Sequence, residues 1–195
     1  MRDKLDRYYT PPALAEACVK RLYVPGKFDH ATLYEPCCGP DAPFVQAFKN
    51  MSFLDVTTYG CDLDPSVSPD VDHYTHCDVE DWRPPKGIGY RIVVANPFYG
   101  NIRKKVLPAM LDFSLCVSAH ICALLLPSTA IDQIMDYYPR PTAVYTIRDR
   151  PMWGGPTGYT QTAKSGAVWV VYDWQRDVDT VIVPMTWDKP NRTKQ

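Results

Sequence analysis

The 195-residue sequence has no CxxC pair and no cysteine–histidine spacing suited to zinc, which excludes zinc ribbons and fingers as its organising principle. Its cysteines, Cys18, Cys37, Cys38, Cys61, Cys77, Cys116 and Cys122, therefore read as small buried hydrophobes in a reducing compartment. It also lacks an excess of either charge. Twenty-one Lys and Arg against 22 Asp and Glu leave a formal net charge of -1, so any nucleic-acid contact must come from local patches and not from the whole-protein field. Long hydrophobic runs are missing too: the longest, residues 121–127, is far too short to span a bilayer, and the opening MRDKLDRYYTPP has no apolar signal region. These absences point to a soluble, intracellular, cytoplasmic protein without membrane or metal partners. There are no internal repeats, and only the tail DKPNRTKQ reads as a frayed end.

What is present is a globular composition, 46% hydrophobic, 12% aromatic and 22% charged, in a chain whose length favours a single domain over residues 1–195. Nineteen scattered prolines are about twice the usual share of roughly 5% and imply many rigid turns. Short apolar runs alternate with helical periodicity. Strands are expected at residues 32–34, 56–61, 91–95 and 121–126. Phe44, Phe48 and Met51 mark one helix, Val106, Ala109, Met110 and Phe113 a second, and Ile131, Ile134, Met135 and Tyr138 a third. Alternation of this kind implies an α/β fold with a mostly parallel sheet covered on both faces. Residues 144–148 and 167–172 have no helical segment between them, so they are expected to pair as an antiparallel hairpin closing one side of the sheet. The connection DRPMWGGPTGYTQTAKSG is long enough to suggest a functional loop.

Four features fall at the ends of the early strands, where ligands bind in open α/β sheets. In LYEPCCGPDAPF, residues 33–44, Gly39 permits a sharp turn and Glu35 offers a carboxylate to an ammonium or a ribose. In GCDLDP, residues 60–65, Asp62 is placed to accept both hydroxyls of a ribose, whereas Asp64 before Pro65 reads as turn chemistry. In CDVEDW, residues 77–82, Asp78 is positioned to accept from a purine amine, with Glu80 and Asp81 equally readable as surface charges. In VVANPFYG, residues 93–100, an Asn, a Pro and two aromatics follow an apolar strand directly, presenting an amide and flat apolar faces.

Together these segments resemble the S-adenosylmethionine-dependent N6-adenine DNA methyltransferases, particularly the compact phage type. NPFY resembles the catalytic motif of that family, with Asn96, Pro97 and Tyr99 in place and Phe98 where a second proline is usual. LYEPCCGPDAPF resembles the cofactor glycine loop through Glu35, Pro36, Cys37 and Gly39, although Pro40 and Asp41 follow where a second glycine is usual. Asp62 and Leu63 resemble the ribose-binding acid and its neighbour, and Asp78 the adenine-ring acid. YYTPPALAEACVKRL, residues 8–22, is similar to the N-terminal motif in which Tyr9, Thr10 and Pro11 close over the methionine end of the cofactor. The same segment also suits a plain helix start, with Thr10 as N-cap and Pro11 in the first turn. The likeness continues through the late hairpin and spans roughly residues 8–174.

The resemblance implies a Rossmann-like methyltransferase fold, S-adenosyl-L-methionine as cofactor and adenine in double-stranded DNA as substrate. It implies that Asn96 and the Pro97 carbonyl hold the flipped amino group, with Tyr99 stacking on the base and Phe98 supporting it. Arg103, Lys104 and Lys105 after the catalytic loop, and Arg148 and Arg150 entering the late loop, are candidate phosphate contacts. Trp153 and Tyr159 are candidates for stacking. With the catalytic domain filling the chain, no separate target-recognition domain is expected and specificity falls to residues 149–166. A monomer or weak dimer in a bacterial host cytoplasm fits a phage enzyme. Two other readings stand beside this one: a protein glutamine methyltransferase with an NPPY-like motif, and a catalytically degenerate fold that binds nucleic acid or protein. A dinucleotide oxidoreductase is disfavoured because GxGxxG spacing is absent.

Overall fold

The computed structural model describes residues 9–22, 28, 30–51, 55–137, 139–148, 151–153, 161–162 and 166–187. Parallel strands need crossover connections, and the chain supplies them. Helix α1 (Pro12–Lys20) precedes β1 (His30–Pro36), and α2 (Pro43–Lys49) carries the chain to β2 (Asp55–Asp62). Strands β3 (His73–His76) and β4 (Tyr90–Ala95) follow. A π-helical turn at Ile102–Val106 runs into α3 (Leu107–Cys116), then β5 (Ile121–Pro127), a 3-10 turn at Ser128–Ala130 and α4 (Ile131–Met135). The last part holds β6 (Ala143–Ile147), the short β7 (Met152–Trp153) and β8 (Gln161–Thr162), β9 (Ala167–Asp173) and β10 (Val181–Met185).

Eight strands form one sheet in the order β10-β6-β9-β5-β4-β1-β2-β3. Only β9 runs against the others, pairing antiparallel with β5 and β6. The α/β class, the mostly parallel sheet and the late antiparallel pairing expected from the sequence are all present. The expectation that the hairpin closes the sheet needs correction. Strand β10 lies outside β6 in parallel register, Val181 opposite Ala143 through Met185 opposite Ile147. It carries Pro184, which has no N–H to give and is tolerated because β10 is an edge. On the opposite edge β3, sequence HYTH, has none of the apolar alternation that marks a half-buried strand.

Because successive strand side chains point to opposite faces, the central strands feed two cores. From β4, Ile92 and Val94 join one core while Val93 and Ala95 join the other; β5 and β9 divide in the same way. The first core contains α1 and α2, with Phe44 stacked on Trp169 at 5.2 Å between ring centroids. The second contains α3 and α4, with Trp82 stacked on Phe113 at 4.8 Å and nearly parallel to it.

The turn into β4 depends on Gly89, which has a φ of +65° and lies so close to β1 that a Cβ there would run into the His30 carbonyl. Gly89→Ala should lower unfolding free energy in urea by at least roughly 1–2 kcal/mol, the cost of a left-handed backbone for an L-residue alone. A variant with wild-type stability would show that this turn is free to relax.

Candidate active site

Strand order reverses at β1: the chain moves outward through β2 and β3, then returns to β4 on the other side of β1. Loops leaving the carboxyl ends of β1 and β4 therefore diverge, and a crevice opens between them. A cavity of about 450 Å³ lies there. Cys37 and Gly39 after β1, Asp62 and Leu63 at the end of β2, Cys77 and Asp78 after β3, and Asn96, Pro97 and Phe98 after β4 all line it, together with Tyr9 and Lys105. A small recess of about 20 Å³ shares Tyr9, Cys37, Gly39 and Asn96 with the cavity and adds Thr10 and Glu35.

The loop after β1 turns on left-handed residues, Cys37 with φ +58°, Gly39 with +63° and Ala42 with +38°. Gly39 donates its N–H to Asp62 Oδ2 at 2.8 Å, and the Tyr9 ring packs so near that a Cβ would lie 3.2 Å from Cδ1. Cys38 adds a backbone bond to the Cys61 carbonyl at 3.1 Å. Pro43 occupies the first helical position of α2, where its missing N–H costs nothing. Ala42 cannot cap that helix with a side chain, and the buried Glu35 does so from β1. Its Oε2 accepts from the Val45 N–H at 2.8 Å and its Oε1 from the Phe44 N–H at 3.4 Å. Burial pushes the Glu35 carboxyl up to about 8, with the nearby Asp62 charge adding and the two N–H groups partly offsetting. Pro36 is buried within β1, and Pro11 stands at the cap position before α1, where its carbonyl accepts from the Leu14 and Ala15 N–H groups; neither lines the cavity.

Asp62 uses both carboxylate oxygens internally as well as facing the cavity: Oδ2 holds Gly39, and Oδ1 accepts from the Asp64 N–H at 2.9 Å. Leu63 stands 54% exposed at the cavity wall, an apolar face that solvent alone does not favour. Asp64 accepts both the N–H and the hydroxyl of Ser66, the turn chemistry read from the sequence. Asp78 faces the cavity and accepts from the Glu80 N–H at 3.0 Å. Burial, then the Asp62 charge, pushes the Cys37 thiol up to about 12, so it stays protonated. Among the described residues, no group of three or more His, Cys, Asp or Glu side chains could hold a metal ion.

Asn96 joins the N-terminal segment to the NPFY loop. Its Nδ2 donates to Thr10 Oγ1 at 3.0 Å, and its Oδ1 accepts from the Tyr99 hydroxyl at 2.8 Å. Thr10 is thus not a helix cap; Pro11 takes that position, Pro12 opens α1, and the threonine hydroxyl serves the loop after β4. Phe98 lines the cavity, while Tyr99 packs against the first core and is not among the lining residues.

Lys105, read from the sequence as a phosphate contact, lines the cavity, with Arg103 and Lys104 exposed on the same π-helical turn. Arg148 is exposed just past β6, at the carboxyl edge of the sheet. Trp153 lies in β7, whose backbone pairs with β8; Arg150 and Tyr159 lie outside the described residues. Cys61, Asp64, Val67, Val79 and Glu80 complete the cavity wall; Asp64 had been read as turn chemistry and Glu80 as a surface charge, and Val67 and Val79 were not singled out from the sequence. Their only sequence signal is that each follows a strand-end acid by a residue or a turn. No helix among the described residues is long and apolar enough to cross a membrane.

No family profile and no curated protein matches the sequence. Among solved structures, the chain is similar to the methyltransferase subunit of the type I restriction-modification system from Streptococcus thermophilus, with a TM-score of 0.62 at 14% identity over 94% of this chain and 48% of that one. It spans about half the length of that subunit and has its methyltransferase fold. Slighter likenesses are to the plantazolicin methyltransferase BpumL in complex with SAH, with a TM-score of 0.43, 11% identity and coverage of 63% and 50%, and to the 16S rRNA methylase RmtB, with 0.40, 14%, and 85% and 76%.

The buried Glu35 has a measurable consequence. Its folded-state carboxyl holds a proton more tightly than the unfolded chain does between pH 4.5 and about 8, so its contribution to stability falls as pH rises through that window. The stability difference between wild type and Glu35→Gln should therefore move in favour of the variant from pH 5 to pH 9 in urea unfolding. A difference that stays constant with pH would mean that Glu35 is solvated or paired.

Proposed function

We propose that this protein transfers the methyl group of S-adenosylmethionine to the N6 amino group of adenine in DNA, and that the crevice between β1 and β4 is its active site. The cavity volume of about 450 Å³ falls in the range of small-molecule sites, and its wall has the donors and faces that such a cofactor needs. Asp62 would hold the ribose, Leu63 and Val79 would flank the adenine ring, and Asp78 would accept from its amine. Asp62, Asp64, Asp78 and Glu80 against Lys105 make the cavity acidic, which favours a ligand carrying sulfonium and ammonium charges. When bound, S-adenosylmethionine supplies an electrophilic methyl group and a neutral thioether leaving group.

The lone pair of an aromatic amine is delocalised into its ring, so the protein's part is to localise and aim it. The Asn96 amide oxygen and the Pro97 carbonyl would accept hydrogen bonds from the two amino N–H groups and direct the lone pair into the cavity; the N–C bond forms as the S–C bond breaks, and the one proton the nitrogen then sheds passes to solvent. Aromatic side chains of the same loop would hold the flipped base. Arg103 and Lys104 lie exposed beside the loop, where phosphates would approach, and Arg148 stands at the same edge of the sheet. The observation that carries the reading is that Asn96 lines the same cavity as Asp62 and Asp78, with its amide held at both ends.

Incubation with labelled cofactor and unmethylated phage or plasmid DNA should place label on adenine N6, and base-resolved mapping should give the sequence context. Asn96→Ala should lower turnover by about 10²–10³-fold with cofactor affinity nearly intact. Label on protein glutamine would replace the reading with a protein methyltransferase, and absence of any binding to S-adenosylhomocysteine would replace it with a non-catalytic fold.

The ribose contact has its own check. Asp62→Asn should weaken S-adenosylhomocysteine binding at least about tenfold in calorimetry, since a charged acceptor is lost and the amide's single oxygen cannot serve both the Gly39 and the Asp64 N–H groups on separate oxygens. Wild-type affinity in that variant would remove Asp62 from the cofactor site.

A further inference from the structure

We infer that the two aromatics of the NPFY loop divide their work: Phe98 is the surface on which the target base stacks, and Tyr99 is a positioning residue that acts through its hydroxyl on Asn96. This rests on the proposed adenine reading and deepens it. The two rings lie on different sides of the sheet. Phe98 is half-buried, lines the cavity beside Asn96 and Pro97, and packs against the core of α3 and α4. Tyr99 packs against the opposite core, that of α1 and α2.

Local geometry holds each ring in place. Gly100 lies beside the Phe98 ring, where a Cβ would come within 3.2 Å of Cδ2 and 3.3 Å of Cε2. A side chain there would press on the ring edge, so glycine leaves the ring its place at the cavity wall, where a stacking platform is needed. Tyr99 reaches Asn96 Oδ1 with its hydroxyl at 2.8 Å while Thr10 takes Nδ2 at 3.0 Å. An amide rotates about its last side-chain bond, and contacts at both ends stop that rotation. The oxygen that must meet an amino proton is then aimed before the base arrives, and no ordering cost falls on the reactive complex. A proline in place of Phe98 would give the loop no second aromatic ring, and the single following aromatic would have to serve the base. Here the extra aromatic frees Tyr99 to turn to the other side of the sheet.

The test uses the full chain: base extrusion is read with S-adenosylhomocysteine bound and a short duplex carrying 2-aminopurine at the adenine that mapping identifies, and kcat and KM with S-adenosylmethionine and the same duplex carrying adenine. Phe98→Leu should lose the fluorescence rise of the unstacked base and raise KM for DNA about ten- to hundredfold, with Phe98→Tyr restoring both. Tyr99→Phe, which keeps the ring and removes only the hydroxyl, should keep the fluorescence rise and KM but lower kcat about tenfold. Calorimetric binding of S-adenosylhomocysteine verifies that each variant is folded. Wild-type kcat in Tyr99→Phe, or base extrusion that survives Phe98→Leu and is lost in Tyr99→Leu, would overturn the division of roles while leaving the methyltransferase reading intact. A wild type that methylates no adenine would overturn both.

Discussion

Strand β1 is paired in parallel on both sides, and that constraint governs everything the crevice contains. A chain leaving β1 cannot turn back in a hairpin to a parallel neighbour, so it must cross over a face of the sheet. Crossing first to β2 and later to β4 on the opposite side makes the two exit loops part company at the carboxyl edge. The cavity is the gap left where no backbone passes. The ends of β2 and β3 flank it because their registers follow from β1: Glu35 is opposite Gly60, and Asp62 is opposite His76.

Acidic side chains then hold the crevice in shape from within. Glu35 caps α2 from the neighbouring strand, and Asp62 ties the glycine loop to the end of β2. Both were legible as acids at strand ends, which is where a ligand would use them. Their internal bonds were not, since the groups they hold are backbone N–H donors that any sequence possesses. Of the two, Asp62 holds the crevice with the same carboxylate proposed to meet the cofactor. Proline contributes in a way its count did not reveal: Pro43 begins a helix, Pro184 lies on an edge, and Pro11 and Pro36 are structural neighbours of the site and not its lining.

Elements whose residues alternate or repeat apolar positions were readable, β4, β5, β9 and α3 among them, because burial on a known face imposes a period. Strands β3 and β10 escaped because edges demand little burial: HYTH is polar, and VIVPM contains a proline and stays largely exposed. The recess around Asn96 mixes both cases. The NPFY loop was visible as a cluster of rare residue types. The choice between its aromatics was not visible, because adjacent side chains differ in direction and not in kind.

The order of motifs and the period of hydrophobic residues were determined locally, by residue type and spacing, and those are properties a sequence carries by itself. They specify an α/β chain with acids, a glycine and an asparagine at successive strand ends. Tertiary structure decided the long-range pairings: Thr10 with Asn96, Glu35 with the start of α2, Asp62 with Gly39, Lys105 with the cavity wall. Such pairings exist only after the sheet has brought distant segments together. A hydrogen bond has no signature in sequence when its partners are separated by 86 residues and either one could have bonded to water instead.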